Sequence, residues 1–329
     1  MAKDSQVSAE ARFSLQDLAL STCWASSGAE SGAWLLDRLS ATGLTALEME
    51  YRLTAPVLNQ MRPELRPRGF SVVSVHNYCP LPFEFPPEKA SGDLFNLAAW
   101  DKEERLLAVS RTMRTLELAS DLEAKAVILH LGWVEGIKDI EVTKDAARQK
   151  ELTPELAAHL AARRERAPRS LDAVSFALDR LLPRAQSLGV RLGPENRFHA
   201  CQVPDIDECA LLLKRFAGGP VGPWLDVGHA HVQGLAGLAS IDDWLARFGD
   251  SLLGCHLHDA NEINDHLLPG ADGLDWPELA KVLLSAPIKV MEIHPGPEPE
   301  EIKEAAETLA RLFSQATRQA SQKQEGGPA

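Results

Sequence analysis

Side chains that can bind divalent metal ions recur along the chain, each at or near the end of a short apolar run. Carboxylates and imidazoles together suit manganese, magnesium, cobalt and zinc, without deciding among these metals. Because consecutive runs end in this way, the pattern indicates one site assembled from distant parts of the chain. The residues at these positions are His76, His130, Glu195, Asp226, His256, His258 and Glu292.

The carboxylates in this set carry most of the argument for a metal. An unpaired charge inside a protein costs several kcal/mol, and few Lys or Arg residues accompany Glu195, Asp226 and Glu292 in their runs. A lone histidine at the end of a strand is more often a hydrogen-bonded core residue than a ligand. Here the histidines and carboxylates occur together, so we predict that they gather around one or more divalent metal ions.

Other polar residues near these runs have two interpretations each. Glu48 or Glu50 either points into the site or forms an internal ion pair with Arg52. Arg197 either holds a carboxylate or phosphate of a substrate by a bidentate contact or forms a salt bridge with a neighbouring loop. His266, which precedes a Pro-Gly turn, is either a ligand or substrate contact or an exposed residue without a role.

The elements that must position these residues alternate regularly. Short apolar runs are followed by segments of helical period, as expected of repeated βα units. Two of the helical segments begin with capping boxes, Asp205 with Glu208 and Ser240 with Asp243. We count eight strand-like runs, near Leu18–Thr22, Ala46–Tyr51, Ser71–His76, Ala126–Leu131, Val190–Glu195, Val221–Asp226, Leu252–His258 and Ile288–His294.

This alternation predicts an α/β fold, a single (β/α)8 TIM barrel, with an open doubly wound sheet as the alternative. In a barrel, the carboxyl ends of all strands meet at one mouth, which brings the candidate ligands together. The 329 residues suit one domain, predicted over residues 1–320 and followed by a flexible tail over 321–329. The loops after the third and fourth runs are expanded, and we expect them to enclose the substrate.

Composition narrows the class of protein. The formal net charge of -13 disfavours nucleic acid as a partner. We find no apolar stretch long enough for a membrane span and no signal-peptide pattern, so no membrane partner is predicted and a cytoplasmic location is expected. The five cysteines form no CxxC pair and are interpreted as reduced packing residues.

Several short motifs, in this order along the chain, resemble the xylose isomerase-like TIM barrel superfamily. They are Glu195-Asn196, the LDVGH motif with Asp226 and His229, HLHD at His256, the DHLLPGADGLDW segment at His266, and Glu292 near the end. The resemblance spans nearly the whole chain. The superfamily includes sugar and sugar-phosphate isomerases and epimerases, and the endonuclease IV-like AP endonucleases (AP endonuclease family 2).

The isomerase and epimerase branch implies one divalent ion, held by the positions that match Glu195, Asp226, His256 and Glu292. The two glutamates would flank the substrate as acid and base, and proton transfer through a metal-bound cis-enediolate would give the product. His229 would then bind substrate. The predicted substrate contacts are His229, His76, Arg197, His258 and Glu48.

The endonuclease branch implies three zinc ions, whose additional ligands match His76, His130, His229 and His266. An aspartate two residues before the last of these histidines completes the set in that branch. This sequence has Asn264 there, so we expect the third metal to lose an anionic ligand.

Three functions follow from these observations. The first is a metal-dependent isomerase or epimerase of a small sugar or sugar-like polyhydroxy carbonyl compound, acting in the cytoplasm, with a homo-oligomer unsurprising in this family. The alternative is an endonuclease IV-like multinuclear zinc phosphoesterase. The third, a barrel that only binds a ligand, would be indicated by a missing carboxylate at the fifth or eighth run, and neither carboxylate is missing.

Overall fold

The computed structural model describes residues 13–137, 139–270 and 273–325. Eight parallel strands form the central sheet, and all of them fall within or overlap the predicted runs. Each is short and mostly buried, as expected of strands covered on both faces. Their bounds are β1 Ala19–Ser21, β2 Ala46–Met49, β3 Ser71–His76, β4 Ala126–Leu129, β5 Arg191–Pro194, β6 Trp224–Asp226, β7 Gly254–Leu257 and β10 Lys289–Met291.

The strands lie in the order β5-β4-β3-β2-β1-β10-β7-β6, with every pair parallel. The two end strands approach each other, because parallel bridges join Leu192 to Val221 and Glu195 to Trp224. The Asn196 amide also donates to the Trp224 carbonyl at 3.3 Å. The sheet is therefore a nearly closed barrel, which confirms the predicted (β/α)8 fold over the open sheet.

Helices connect the strands and surround the barrel. Both predicted capping boxes are present, with side-chain and backbone bonds in each direction at Asp205 and Ser240. The helices are α1 Cys23–Ser26, α2 Gly32–Ala41, α3 Ala55–Leu65, α4 Lys102–Asp121, α5 Glu141–Gln149, α6 Pro154–Leu188, α7 Ile206–Arg215, α8 Val227–Leu235, α9 Ile241–Phe248, α10 Trp276–Val282 and α11 Pro299–Glu325. Short 3-10 helices span Leu15–Asp17, Pro87–Lys89 and Gly249–Ser251.

A hairpin outside the barrel follows β7 and consists of β8 (Asp259–Asn261) and β9 (Asn264–Leu267). The predicted domain boundary at residue 320 falls within α11, which continues to Glu325, and residues 326–329 lie outside the described part. No described helix has the length and apolar character needed to cross a membrane. All five cysteines are buried and unpaired, as predicted.

The interior of the barrel is filled by Trp224, whose side chain is fully buried and packs against two glycines of neighbouring strands. A Cβ atom at Gly254 would overlap the Trp224 ring and lie 2.9 Å from the Ile288 carbonyl oxygen. A Cβ at Gly193 would lie 3.2 Å from the same ring. These strand positions therefore require glycine because a large aromatic ring occupies the space beside them.

Gly254→Ala is expected to destabilise the protein by about 1–3 kcal/mol, because the added methyl group overpacks the barrel interior. Urea denaturation followed by circular dichroism would measure the change. Gly249→Ala is the matched control, since a Cβ there meets nothing within 4 Å and the backbone φ is -49°. Equal stability of the two variants would contradict this account of the packing.

Candidate metal centre and active site

His256 lies at the centre of the barrel mouth. One of its ring nitrogens faces three carboxylates. Its Nδ1 is 2.8 Å from Glu195 Oε1, 3.0 Å from Glu292 Oε2 and 3.6 Å from Asp226 Oδ2. All four side chains are buried. They come from the ends of β5, β6 and β10 and from within β7, so the barrel geometry brings them together as predicted. We call these four residues the central cluster.

The central cluster fits a divalent cation. Its four ligand atoms lie within 4.8 Å of one another. Burial by itself would lower the pKa of His256, yet the carboxylates of Glu292, Glu48 and Glu195 raise that pKa well above its ordinary value. One proton on Nδ1 cannot satisfy three carboxylates, whereas a cation coordinated by all four groups would.

Glu48 is fully buried behind His256 and does not line the cavity, which differs from the position expected of a substrate contact. Its Oε1 is 3.2 Å from His256 Nε2, and its Oε2 accepts a hydrogen bond from Ser74 Oγ at 2.8 Å. A carboxylate at Nε2 directs Nδ1 toward the central cluster. Of the two candidate glutamates, Glu50 forms the ion pair with Arg52, at 3.0 Å.

A second group, which we call the histidine-pair cluster, consists of His76, His130 and Glu195. The Nδ1–H of His76 donates to the Asn77 carbonyl at 2.9 Å, which leaves Nε2 3.4 Å from Glu195 Oε2. His130 Nε2 lies 3.0 Å from the same oxygen, but without hydrogen-bond geometry. Two imidazole nitrogens facing one carboxylate oxygen in this way fit a second cation, for which Glu195 would be a shared ligand.

Asp93 lies beside this second cluster and was not found from the sequence. It lies in the expanded loop after β3, 3.2 Å from His130 Nδ1, and accepts hydrogen bonds from Arg197 at 2.7 Å and Gln202 at 3.1 Å. Burial would raise the pKa of Asp93, but Arg197 and His130 lower it well below its usual range. The neighbouring Gly92 permits the close approach, since a Cβ there would lie 2.7 Å from His130 Nδ1.

The third group, the outer cluster, consists of His229, Asp265 and His266. The Nδ1–H of His229 donates to the Asn196 carbonyl and that of His266 to the Glu292 carbonyl, each at 3.0 Å. Their Nε2 atoms lie 3.8 and 3.7 Å from Asp265 Oδ2. The backbone thus orients both rings so that Nε2 faces the carboxylate, an arrangement that suits a metal ligand.

An aspartate one position after Asn264 lies beside these two histidines, so Asp265 would offer the anionic group whose loss the sequence predicted. Asn264 pairs with Asn261 in the hairpin. His266 has a φ of +54°, a left-handed conformation that interrupts the strand alternation and lets adjacent residues face the same cavity. An aspartate directly before His266 was the signal available in the sequence.

His258 is also placed differently from the prediction, since it is fully buried and does not line the cavity. Its Nε2 is 2.9 Å from Asp226 Oδ2, and its Nδ1 accepts a hydrogen bond from the His266 amide at 2.8 Å. His258 therefore supports Asp226 and the β9 backbone, and it does not reach the cavity wall.

The segment that carries the outer cluster is anchored by Asp259, a fully buried carboxylate directly after His258. It accepts hydrogen bonds from one donor within β8, from two donors after the hairpin and from the first residue of α10. These donors are the amides of Ala260 at 2.8 Å, Gly270 at 3.0 Å and Leu274 at 2.9 Å, and Trp276 Nε1 at 3.1 Å. One side chain thus fixes both ends of the segment.

Asp259→Asn is expected to lower the free energy of unfolding by about 1–3 kcal/mol, because the amide cannot accept all these bonds and its NH₂ opposes buried N–H donors. Urea denaturation followed by circular dichroism would measure the loss. Asp275→Asn is the control, because Asp275 only caps α10 at Glu278 in the same segment. Equal stability of the two variants would contradict the anchoring role.

A cavity of about 940 Å³ opens above the clusters. Glu195, Glu292, His76, His130, His229 and His266 all reach its wall, and Arg197 does so beside Asp93. Both expanded loops contribute, the first through Asp93 and the second through Lys144 and Arg148 of α5. The carboxylates and imidazoles lie at one end of a space large enough for a small polar molecule.

The fold and the clustered side chains define a (β/α)8 barrel with candidate metal-ligand groups at its mouth. A family model described as xylose isomerase-like TIM barrel matches residues 36–312, and the chain belongs to this family. No curated protein matches the sequence significantly.

Similar solved structures share the fold at low sequence identity. A D-tagatose 3-epimerase-like protein has a TM-score of 0.65 at 17% identity, covering 92% of this chain and 99% of that one. An L-ribulose 3-epimerase has a TM-score of 0.66 at 15% identity, covering 95% and 99%. A Thermus thermophilus protein soaked with ZnCl2 has a TM-score of 0.56 at 24% identity, covering 91% and 98%.

Proposed function

We propose that the protein is a metal-dependent isomerase or epimerase of a small sugar or sugar-like polyhydroxy carbonyl compound. The observation that carries this proposal is the pair of buried glutamates, Glu195 and Glu292, which approach the same nitrogen of His256 and both line the cavity. The family and the sugar epimerases among the similar structures support it.

The cation would be held by the central cluster, Glu195, Asp226, His256 and Glu292. When bound, it would polarise a substrate carbonyl and so make the neighbouring C–H more acidic. Glu195 and Glu292 then act as base and acid, since both carboxylates reach the cavity from different strands. Removal of the proton by one and its return by the other, at the neighbouring carbon or on the opposite face, gives the product.

The remaining residues of the cavity orient the substrate. His76 and His229 line the wall on either side of Glu195, and their rings are fixed by hydrogen bonds to backbone carbonyls. Phe198 adds an apolar surface, and it contacts His229 edge to face at 5.9 Å between ring centroids. Fixed polar groups with one apolar wall are typical of sites for small polyhydroxy compounds.

A second candidate function, a metallo-phosphoesterase, is favoured by the histidine-pair and outer clusters. Together with the central cluster they offer ligands for more than one cation around a shared cavity, and Glu195 belongs to two of the groups. Such a set would clamp a phosphate for in-line displacement. The net charge of -13 argues against DNA as its substrate.

One comparison tests the two functions. The metal-loaded protein should interconvert at least one aldose–ketose or epimer pair, with deuterium from D₂O entering the substrate at the reacting carbon. It should not hydrolyse bis(p-nitrophenyl) phosphate above a metal-only control. Phosphodiester hydrolysis without isomerisation of any sugar in a pentose and hexose panel would favour the second candidate.

A further inference from the structure

We propose that the cavity takes a substrate bearing an anionic group, a phosphate or a carboxylate, which binds to Lys144, Arg148 and Arg197. We call these three residues the cationic rim. The inference rests on the proposed function, because it concerns the substrate of the same site. It adds a substrate class and assigns a role to the segment inserted after β4.

Helix α5 is fixed against the barrel in an orientation that places two of these cations at the cavity. Thr143 Oγ1 accepts a hydrogen bond from the Ala200 amide at 2.9 Å, and Ala146 and Ala147 are fully buried. Lys144 and Arg148, four residues apart and so on one face of the helix, line the cavity. The packed face thus determines which side chains reach the site.

No described carboxylate of the cavity wall pairs with Lys144 or Arg148. Glu195, Glu292 and Asp265 belong to the candidate metal-ligand clusters, and Asp93 pairs with Arg197. Lys144 and Arg148 therefore bring positive charge to the cavity of a protein whose net charge is -13. A cationic patch inside an acidic molecule indicates a specific anionic ligand and not a general attraction to polyanions.

The ion pairs that Lys144 and Arg148 make are weak enough to be exchanged. Lys144 contacts Glu141 at 2.9 Å and Arg148 contacts Asp145 at 2.7 Å, each within the same helix. The two acidic side chains are more than half exposed to solvent. Exposed pairs of this type contribute at most about 1 kcal/mol, so an oxyanion of a bound substrate can replace them.

Arg197 provides a buried donor at the same place. Its side chain is 3% exposed, and one terminal nitrogen donates to Asp93 at 2.7 Å. Its Nε and other terminal nitrogen have no hydrogen-bond partner among the described residues, although the latter lies 3.9 Å from Glu195 Oε2. A buried guanidinium with unfilled donors beside a cavity is suited to bind a carboxylate or phosphate.

His199 lines the cavity together with Lys144 and Arg197. Burial is the largest cause that lowers the pKa of His199 to about 4, and Lys144 and Arg197 lower it further. Its imidazole is therefore neutral at pH 7 and does not add to the charge of the rim.

The test compares the metal-loaded wild-type protein with the double variant Lys144→Ala/Arg148→Ala. The control is Lys214→Ala/Arg215→Ala, which removes the same charges from α7, outside the cavity. Binding of inorganic phosphate is measured by calorimetry at equal metal content. The values of kcat/KM are measured for neutral sugars, their phosphates and the corresponding sugar acids, which separates the two sources of the anionic group.

We expect the Lys144→Ala/Arg148→Ala variant to bind phosphate at least about tenfold more weakly, as for loss of a charged hydrogen bond. The ratio of kcat/KM for the anionic substrate to that for its neutral parent should fall by a similar factor. A change below twofold in both quantities would contradict the proposed role of the cationic rim in binding an anionic group. If no sugar reacts at all, the proposed function fails, while weaker phosphate binding would still support the rim.

Discussion

Glu195→Gln is expected to abolish turnover and to release metal, the largest effect of any single change in the site. Its two carboxylate oxygens serve different clusters, with Oε1 2.8 Å from His256 Nδ1 and Oε2 3.0 Å from His130 Nε2. A glutamine offers one oxygen and one NH₂ group, so it cannot accept from both sides. Loss of an acid–base group alone lowers kcat by about 10²–10⁴-fold, and metal loss adds to this.

Metal analysis and kcat measured on the same preparation would check this expectation. Glu50→Gln is the matched control, because Glu50 is an equally buried glutamate at the end of β2 whose partners are Ser26 and Arg52. It should retain the wild-type metal content. The fold of both variants can be compared by circular dichroism. Wild-type metal content and turnover in Glu195→Gln would remove the basis for the central cluster.

The barrel and the meeting of strand-end carboxylates at its mouth were predictable from short-range patterns and one geometric rule, whereas the choice of His256 among the histidines was implied by the family resemblance. Alternating apolar runs and helical segments indicate βα units, and parallel strands bring their carboxyl ends to one mouth. Glu195, Asp226 and Glu292 could therefore be placed together without knowledge of any contact. Buried carboxylates lacking nearby basic residues indicated the cation.

Residues in the loops were not predictable in the same way. Asp93 meets His130 through a long segment whose path depends on tertiary packing. Asp265 faces the cavity because His266 adopts a left-handed backbone conformation, which no periodic pattern indicates. The roles of Glu48 and His258 depend on which ring nitrogen of a histidine faces which carboxylate, and this is a property of side-chain orientation.

Helix α5 illustrates a further limit. The segment after β4 was predicted as an enclosing loop with charged residues, but the choice of Lys144 and Arg148 as cavity residues depends on how the helix is rotated. Ala146, Ala147 and Thr143 fix that rotation through packing and one hydrogen bond. The composition of the segment indicated that it is charged, but it did not indicate how the helix is rotated.

Glu292→Gln is expected to lower kcat by about 10²–10⁴-fold, as for loss of an acid–base group. Glu292 lies 3.0 Å from His256 Nδ1 in the central cluster and also belongs to a candidate group with Asp226, His258 and His266. It does not belong to the histidine-pair cluster, so that cluster keeps all its ligands in the variant. The amide oxygen of glutamine also remains available as a ligand in the central cluster.

Deuterium exchange in D₂O tests the role of Glu292 more specifically than the loss of rate in Glu292→Gln does. If Glu195 and Glu292 act on opposite faces of the reacting carbon, each removes the proton from one epimer only. In D₂O, the variant should still exchange the proton of the epimer that Glu195 serves, while conversion to the other epimer is blocked. NMR of each epimer incubated separately would show deuterium entering one and not the other. Exchange of both epimers at wild-type rates would exclude Glu292 as a proton-transfer group.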